Sequence, residues 1–145
     1  MQEYPHVYKV SAIAANAGNV QLSSPGLEPI TTAAPAEFDG PGDLWSPETL
    51  FAGSVADCYI LSFRAVTNAK KFDWINLECQ TDAVLERPER QTQFTQLNLR
   101  VKLTVARGTN IELAEKLLMR AKDICLVTNS MTAEKTLDIQ IIEVD

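Results

Sequence analysis

The spacing of apolar residues predicts one long helix near the middle of the chain. Ser46 followed by Pro47 is typical of a helix start, because serine accepts a hydrogen bond from a free backbone N–H and proline fits the first helical position. Apolar residues then recur at helical spacing to about Asn68. The segment is apolar on most sides, which predicts a central helix. Asp57 and Arg64 interrupt it, which argues against a membrane span.

Other segments show the pattern of strands. Residues 74–86 and 97–105 alternate apolar and polar side chains with a period of two, which predicts antiparallel strands with one buried face. Residues 4–15, 19–24 and 29–32 predict three short strands before the long helix, and residues 33–43 a loop. After the long strands, a second helix capped by Thr109 or Asn110 and a final strand from Leu137 to Val144 are predicted.

This order of elements predicts an α+β fold in which antiparallel sheets pack on a long central helix. With 145 residues, the chain is expected to form a single domain over residues 1–145. A central helix covered on only one flank would leave apolar surface in water. We therefore expect a homodimer that buries this surface.

Composition and charge narrow the classes of partner. A hydrophobic content of 46% with 22% charged residues is typical of a globular protein. The net charge of -6 disfavours nucleic acids and anionic membranes as partners. The first residues do not form a basic segment followed by an apolar one, so no targeting peptide is predicted and a cytoplasmic location is expected.

Three cysteines carry the candidate chemistry. Cys58 lies in the long helix and Cys125 near the end of the second helix, and a fold that brings them together would create a redox pair. A buried cysteine usually behaves as a small apolar residue, which is the simpler explanation for Cys58 alone and for Cys79, at an inward strand position. In a reducing compartment, a bridge would be transient and catalytic rather than structural.

The sequence contains no motif that indicates a metal site or a bound cofactor. The single histidine, His6, rules out histidine-rich metal sites and leaves no base for a Cys–His nucleophile. The sequence contains neither a Cys-x-x-Cys motif nor a glycine-rich phosphate loop, so no metal or bound cofactor is expected. The carboxylate of Glu48 lies in the first helical turn, where it interacts favourably with the helix dipole and stabilises the helix. Because it precedes Cys58 by about 15 Å of straight helix, it could serve that thiol only through an arginine or from a second subunit.

The run from Phe38 to Cys58 resembles the OsmC/Ohr superfamily of osmotically inducible and organic hydroperoxide resistance proteins. It contains the pattern Pro-Glu-x-Leu-x(7)-Cys, which begins at Pro47, and Cys125 matches the second thiol of the family. The resemblance extends over nearly the whole chain. It implies a thiol-dependent peroxidase without a cofactor, built as an intertwined homodimer with active sites at the subunit interface.

The resemblance also implies roles for individual residues. Cys58 would attack an organic hydroperoxide as a thiolate and become a sulfenic acid, and Cys125 would condense with it to a disulfide. Glu48 would act electrostatically, and an external dithiol such as dihydrolipoamide would reduce the disulfide. An apolar pocket would hold the hydroperoxide, and the candidate pocket residues are Phe38, Trp45, Phe51 and Arg100.

The sequence departs from the family pattern at the cation that activates the thiolate. Ohr members carry an arginine in the N-terminal hairpin, but residues 10–24 contain neither arginine nor lysine. Arg100 is the first substitute, because a strand crossing the helix could aim it inward. The chain thus resembles an OsmC-like branch more than true Ohr. Two functions stay open: an organic hydroperoxide reductase, and an OsmC-fold protein that binds a small apolar ligand with weak or no peroxidase activity.

Overall fold

The computed structural model describes residues 1–145, which form two compact units, Met1–Leu50 and Phe51–Asp145. The assignment of a single domain stays a prediction. The first unit contains an antiparallel sheet in the order β1-β2-β3. Its strands are β1 (Ser11–Ile13), β2 (Val20–Ser23) and β3 (Ile30–Thr32), followed by a 3-10 turn at Ala36–Phe38.

The long helix α1 (Pro47–Lys70) begins where the sequence predicts. Ser46 is buried, and its hydroxyl oxygen accepts a hydrogen bond of 3.1 Å from the backbone N–H of Thr49. The N–H of Ser46 donates in turn to the hydroxyl oxygen of Thr49 at 2.8 Å. This reciprocal cap satisfies two backbone donors that a helix start otherwise leaves free.

In the second unit, α1 buries one narrow stripe of residues, spaced by four positions: Val55, Tyr59, Phe63 and Thr67. By length and composition alone, α1 could also cross a membrane, since an 18-residue window has a mean hydropathy of 1.2. Core helices of soluble proteins pass the same test, so this is weak evidence. The stripe that packs into the core supports the predicted central helix.

The second unit contains a three-stranded sheet in the order β4-β5-β6. Its elements are β4 (Asn76–Glu86), β5 (Gln93–Ala106), α2 (Ile111–Ile124), α3 (Leu126–Asn129) and β6 (Glu134–Val144). Of the two residues predicted as the cap of α2, Thr109 and Asn110, the structure uses Asn110, whose side-chain oxygen accepts a hydrogen bond of 3.0 Å from the N–H of Leu113. The α+β class is therefore confirmed.

The sheet is not antiparallel throughout, contrary to the prediction. β4 and β5 are antiparallel, but β5 and β6 are parallel. The reason is that α2 and α3 carry the chain back along the sheet, so that β6 starts at the same end as β5.

The core of the second unit lies between the inward face of this sheet and the helices. Alternation along β5 places five buried residues on that face: Leu97, Leu99, Val101, Leu103 and Val105. Burial of one such side chain stabilises the fold by about 1.5–3 kcal/mol. The sheet therefore supplies a rigid base against which α1 and α2 hold the cysteines.

Candidate functional site

Cys58 lies on α1 and is half-buried. Its Sγ lies 3.9 Å from the hydroxyl oxygen of Ser62, one helical turn later. The next residue, Tyr59, is fully buried, and its hydroxyl group donates a hydrogen bond of 2.8 Å to the carbonyl oxygen of Leu118 on α2. Cys58 is thus partly accessible, while the next residue on the same helix, Tyr59, is buried and hydrogen-bonded to α2.

Cys125 lies at the junction between α2 and α3 and is 1% exposed. The sequence places Cys125 near the end of a helix, where the helix dipole does not favour a thiolate. In the structure, the backbone turns at Cys125 and α3 starts at the next residue. Burial raises the pKa of Cys125, but the side chain and backbone of Thr128, the Cys58 thiol and the backbone of Val127 outweigh it and lower this pKa overall. The hydroxyl of Thr128 also donates a hydrogen bond of 3.2 Å to the carbonyl oxygen of Cys125.

The two thiols are neighbours, and both are free. Burial raises the pKa of Cys58, and the thiol of Cys125 raises it further, while hydrogen bonds from the N–H of Val127 and from Ser62 lower it in part. The fold thus brings together the two cysteines that the sequence singled out. Within the pair, Cys58 is the more exposed thiol, whereas Cys125 is the better stabilised thiolate.

No basic side chain is among the groups that shift the pKa of Cys58. Arg100 is not among them, and its strand does not aim it inward, contrary to the expectation from the sequence. Its guanidinium lies 2.9 Å from the carboxylate of Asp82, and both side chains are half exposed. The reason is the alternation of β5, in which Leu99 and Val101 face the core and Arg100 faces away from it.

Cys79 remains best explained as a packing residue. It lies on β4, packs against the hydrophobic core and is half-buried. Its Sγ is 3.8 Å from the hydroxyl oxygen of Thr81. Burial raises the pKa of Cys79, and the charge of Cys125 raises it further. Cys79 is therefore a poor nucleophile at neutral pH.

Glu48 and Phe38 line one cavity of about 390 Å³ in the first unit. The Oε2 atom of Glu48 is buried and has no hydrogen-bond partner. Phe38 is 54% exposed, because it closes a short 3-10 turn at the surface. The cavity wall is therefore mainly apolar, and Glu48 is its one charged lining residue.

The two other aromatic candidates for the pocket lie elsewhere. Trp45 is 57% exposed, and its carbonyl oxygen accepts a hydrogen bond of 3.0 Å from the N–H of Ala33. In the second unit, Phe51 stacks on Phe94, with ring centroids 4.3 Å apart and planes inclined by 8°. Neither residue lines the cavity that contains Glu48.

Sequence reasoning missed the groups that tune the two thiols. Ser62 lies four residues after Cys58 in a predicted helix, so helical spacing already contained that signal. Thr128 and Val127 reach Cys125 only because α3 starts there, and this four-residue helix leaves no clear pattern in the sequence. The described residues contain no cluster of three or more potential metal-ligating side chains.

Comparison with known proteins identifies the family. Residues 40–140 match the sequence profile of the family described as OsmC-like protein, and this range includes both Cys58 and Cys125. The chain belongs to the OsmC-like protein family.

Individual relatives agree with this family. The chain is 20% identical over 138 residues to the uncharacterized protein YmaD of Bacillus subtilis, covering 93% of this chain and 92% of that protein. A crystal structure of an organic hydroperoxide resistance protein OsmC from Legionella pneumophila has a TM-score of 0.75 at 23% identity, covering 97% of this chain and 99% of that chain. The structure of an OsmC-like protein of unknown function from Vibrio cholerae has a TM-score of 0.85 at 14% identity. The match covers 93% of this chain and 99% of that chain. At these identities, the two structures show a shared OsmC fold.

Proposed function

We propose that the chain is a thiol-dependent peroxidase that reduces organic hydroperoxides. The observation that carries this proposal is the proximity of Cys58 and Cys125, since each thiol shifts the pKa of the other. A disulfide requires neighbouring cysteines, and these two free thiols are neighbours. Membership in the OsmC-like family supports a redox role for the pair.

The proposed reaction consumes two thiols for each hydroperoxide. The sulfur of Cys58, as a thiolate, attacks the terminal oxygen of the hydroperoxide, the O–O bond breaks, and an alcohol leaves after protonation. The resulting sulfenic acid of Cys58 condenses with Cys125, which forms the S–S bond and releases water. An external dithiol, with dihydrolipoamide as the first candidate, then reduces the disulfide by exchange and is itself oxidised. No bound cofactor takes part.

The two thiols differ in accessibility. Cys125 is 1% exposed, whereas Cys58 is partly accessible, so a hydroperoxide reaches Cys58 first. Burial and the neighbouring Cys125 thiol raise the pKa of Cys58, so only the minor fraction of Cys58 that has lost its proton attacks at neutral pH.

We further propose that the active form is an intertwined homodimer located in the cytoplasm. Cys58 follows Glu48 by ten positions on α1, about 15 Å along the helix, so an electrostatic role of Glu48 needs an intervening arginine or a second subunit, and a homodimer supplies the second subunit. In the second unit, Leu61 on α1 is 51% exposed. The first unit also exposes a row of large apolar side chains, as a subunit interface would: Tyr4, Val7, Tyr8, Val10 and Ile13.

Counting thiols tests the peroxidase proposal. One equivalent of cumene hydroperoxide should consume two thiols per chain and leave Cys79 free. The Cys79→Ser variant should still lose two thiols and form the disulfide. In the Cys125→Ser variant, only Cys58 should be oxidised, and its sulfenic acid should react with a dimedone probe. Unchanged thiol counts in the native protein would falsify the proposal.

A second candidate function is binding of a small apolar ligand without efficient catalysis. The observation that favours it is that burial raises the pKa of Cys58 while no basic side chain lowers it. The pH dependence of alkylation of Cys58 separates the two functions. Apparent deprotonation at or above the ordinary pKa of cysteine, together with slow reaction with hydroperoxide, would favour binding over catalysis.

A further inference from the structure

The chain passes from α2 to α3 through a single residue, Cys125. α2 ends at Ile124, α3 begins at Leu126, and the backbone of Cys125 is extended, with φ -63° and ψ 106°. The N–H of Cys125 lies 3.4 Å from the carbonyl oxygen of Lys122, which is long for a hydrogen bond. The backbone therefore holds the α2 side of this turn only weakly, although the turn carries the buried thiol of the pair.

The exposed side chain of Asn129 spans this turn. Its Nδ2 atom donates a hydrogen bond of 3.1 Å to the carbonyl oxygen of Asp123, six residues earlier. The donor belongs to α3 and the acceptor to α2, so the bond closes a loop around Cys125. The backbone N–H of Asn129 also donates to the carbonyl oxygen of Cys125 at 3.0 Å. Asn129 thus connects the turn to the helices on both of its sides.

Neighbouring side chains do not span the turn in this way. The hydroxyl of Thr128 donates to the carbonyl oxygen of Cys125 at 3.2 Å. The hydroxyl of Ser130 donates to the carbonyl oxygen of Leu126 at 2.9 Å. Neither of these bonds reaches a residue of α2. The side chain of Asn129 makes the only side-chain hydrogen bond that joins α3 to α2.

Formation of a disulfide requires this part of the chain to adjust. Two bonded sulfur atoms are about 2.05 Å apart, much closer than two thiols that are not bonded. α1 and α2 are joined by the buried hydrogen bond from Tyr59 to Leu118. The short turn that follows α2 is therefore the part that brings the sulfur of Cys125 closer to Cys58. Such a step is fastest when the approaching group is already held in place.

We propose that Asn129 is a positioning residue for the resolving step, because its hydrogen bond to α2 holds the thiol of Cys125 beside Cys58. This inference rests on the proposed peroxidase function, in which Cys125 resolves the sulfenic acid of Cys58. The amide of Asn129 acts through Cys125 and has no part in the attack on the hydroperoxide, which takes place on α1.

The sulfenic acid of Cys58 has two competing fates, and their ratio reports on this role. Condensation with the thiol of Cys125 forms the S–S bond and releases water. Alternatively, a second hydroperoxide transfers an oxygen atom to the sulfur, its O–O bond breaks, an alcohol leaves, and the product is a sulfinic acid. Loss of the Asn129 amide slows only the first reaction and therefore raises the yield of sulfinic acid.

Rapid quenching followed by mass spectrometry of Asn129→Ala, in a Cys79→Ser background, tests this proposal with equimolar and with excess cumene hydroperoxide. Disulfide formation should be about two- to tenfold slower than in the parent, the range that one hydrogen bond can supply. The yield of sulfinic acid in excess hydroperoxide should rise. The first oxidation of Cys58 should keep its rate. An unchanged rate of disulfide formation would overturn the proposal.

Ser130→Ala is the matched control. It removes one exposed hydrogen bond of the same kind from the same short helix, on the far side of Cys125 from α2. Both variants should lose a similar, small amount of stability in chemical denaturation, but only Asn129→Ala should change the ratio of disulfide to sulfinic acid. Equal slowing in the two variants would assign the effect to a loosened α3 and overturn the proposal.

Diamide separates this inference from the peroxidase function. It adds to one thiol, and the second thiol then displaces it as a hydrazine, which forms the disulfide without a hydroperoxide. Asn129→Ala should slow this reaction as well. If hydroperoxide left the thiols of the parent unchanged while diamide still showed the slowing, the peroxidase proposal would fail and the positioning role would stand. Equal diamide rates in parent and variant would exclude the positioning role.

Discussion

The hydroxyl group of Tyr59 donates a hydrogen bond of 2.8 Å to the carbonyl oxygen of Leu118 and thereby joins α1 to α2. Tyr59 directly follows Cys58, and Cys125 directly follows the last residue of α2. The bond is fully buried, where a lost partner is costly. This contact therefore helps to hold the two helices in the arrangement that places the thiols side by side.

Replacing Tyr59 by phenylalanine should destabilise the second unit without unfolding it. The variant keeps the ring but loses one buried hydrogen bond, worth about 0.5–1.5 kcal/mol. Chemical denaturation should show this decrease in the free energy of unfolding. The rate of disulfide formation between Cys58 and Cys125 should fall as well, because α1 and α2 are less firmly joined. An unchanged rate would argue against a positioning role for Tyr59.

Tyr59 should also make the stability depend on alkaline pH. Burial, followed by the charges of Cys79 and Cys125, raises the pKa of Tyr59 above its ordinary value of about 10. The contribution of Tyr59 to the free energy of unfolding is complete below about pH 10. It declines as the pH rises further, because the unfolded chain then loses the phenolic proton first. The free energy of unfolding should fall by up to about 1.4 kcal/mol per pH unit in this range. Subtracting the profile of Tyr59→Phe isolates this group from the cysteines.

Variants around Cys58 should shift its pKa in opposite directions. The thiol of Cys125 raises this pKa and the hydroxyl of Ser62 lowers it. Cys125→Ala should therefore allow alkylation of Cys58 at lower pH than in the native chain, and Ser62→Ala should require higher pH. Iodoacetamide kinetics in a Cys79→Ser background measure both. If the pKa of Cys58 shifted in the same direction in both variants, the roles assigned here to Cys125 and Ser62 would be contradicted.

Phe63 should be far more important for stability than Leu61, two residues earlier on the same helix. Phe63 is fully buried and meets Trp74 edge to face, with ring centroids 5.3 Å apart. Phe63→Ala should cost about 3–5 kcal/mol, because it creates a cavity in the core. Thermal unfolding at matched protein concentration measures this cost, and a loss below about 1 kcal/mol would indicate that the core does not depend on this ring.

Leu61 should matter for assembly. Its exposure of 51% suits a position in the proposed homodimer interface. Leu61→Arg should therefore convert a dimer to monomers in analytical ultracentrifugation, because an interface core excludes unpaired charge. Met119→Arg changes a similarly exposed residue on α2, 45% exposed, and should leave the dimer intact. A native chain that is monomeric at all concentrations would exclude this assembly.

Replacing Arg100 by glutamine should have little effect. The ion pair with Asp82 is half exposed, and such pairs contribute about 1 kcal/mol or less. Because Arg100 faces away from the core, the pH dependence of Cys58 alkylation should also stay unchanged. A lower reactivity of Cys58 in this variant would show that Arg100 reaches the thiol in the assembled protein.

Local patterns were sufficient to predict most elements of the fold. Three of these features depend only on residues close together in the sequence: the helix start at Ser46-Pro47, the period-two alternation of the long strands and the cap of α2. The direction of β6 was predicted wrongly, since it depends on how α2 and α3 return the chain. The route of the chain from β5 to β6 depends on how the helices pack on the sheet, and a local sequence pattern does not contain this information.

For the site, the sequence by itself determined which groups are present: two cysteines in helical segments, a glutamate at a helix start and no basic residue in positions 10–24. Only the tertiary structure decided that Cys58 and Cys125 are neighbours and that Cys125 is almost fully buried while Cys58 is not. The physical reason is that burial and hydrogen bonding between distant segments set the pKa of a thiol, and both arise only when the helices pack on the sheet.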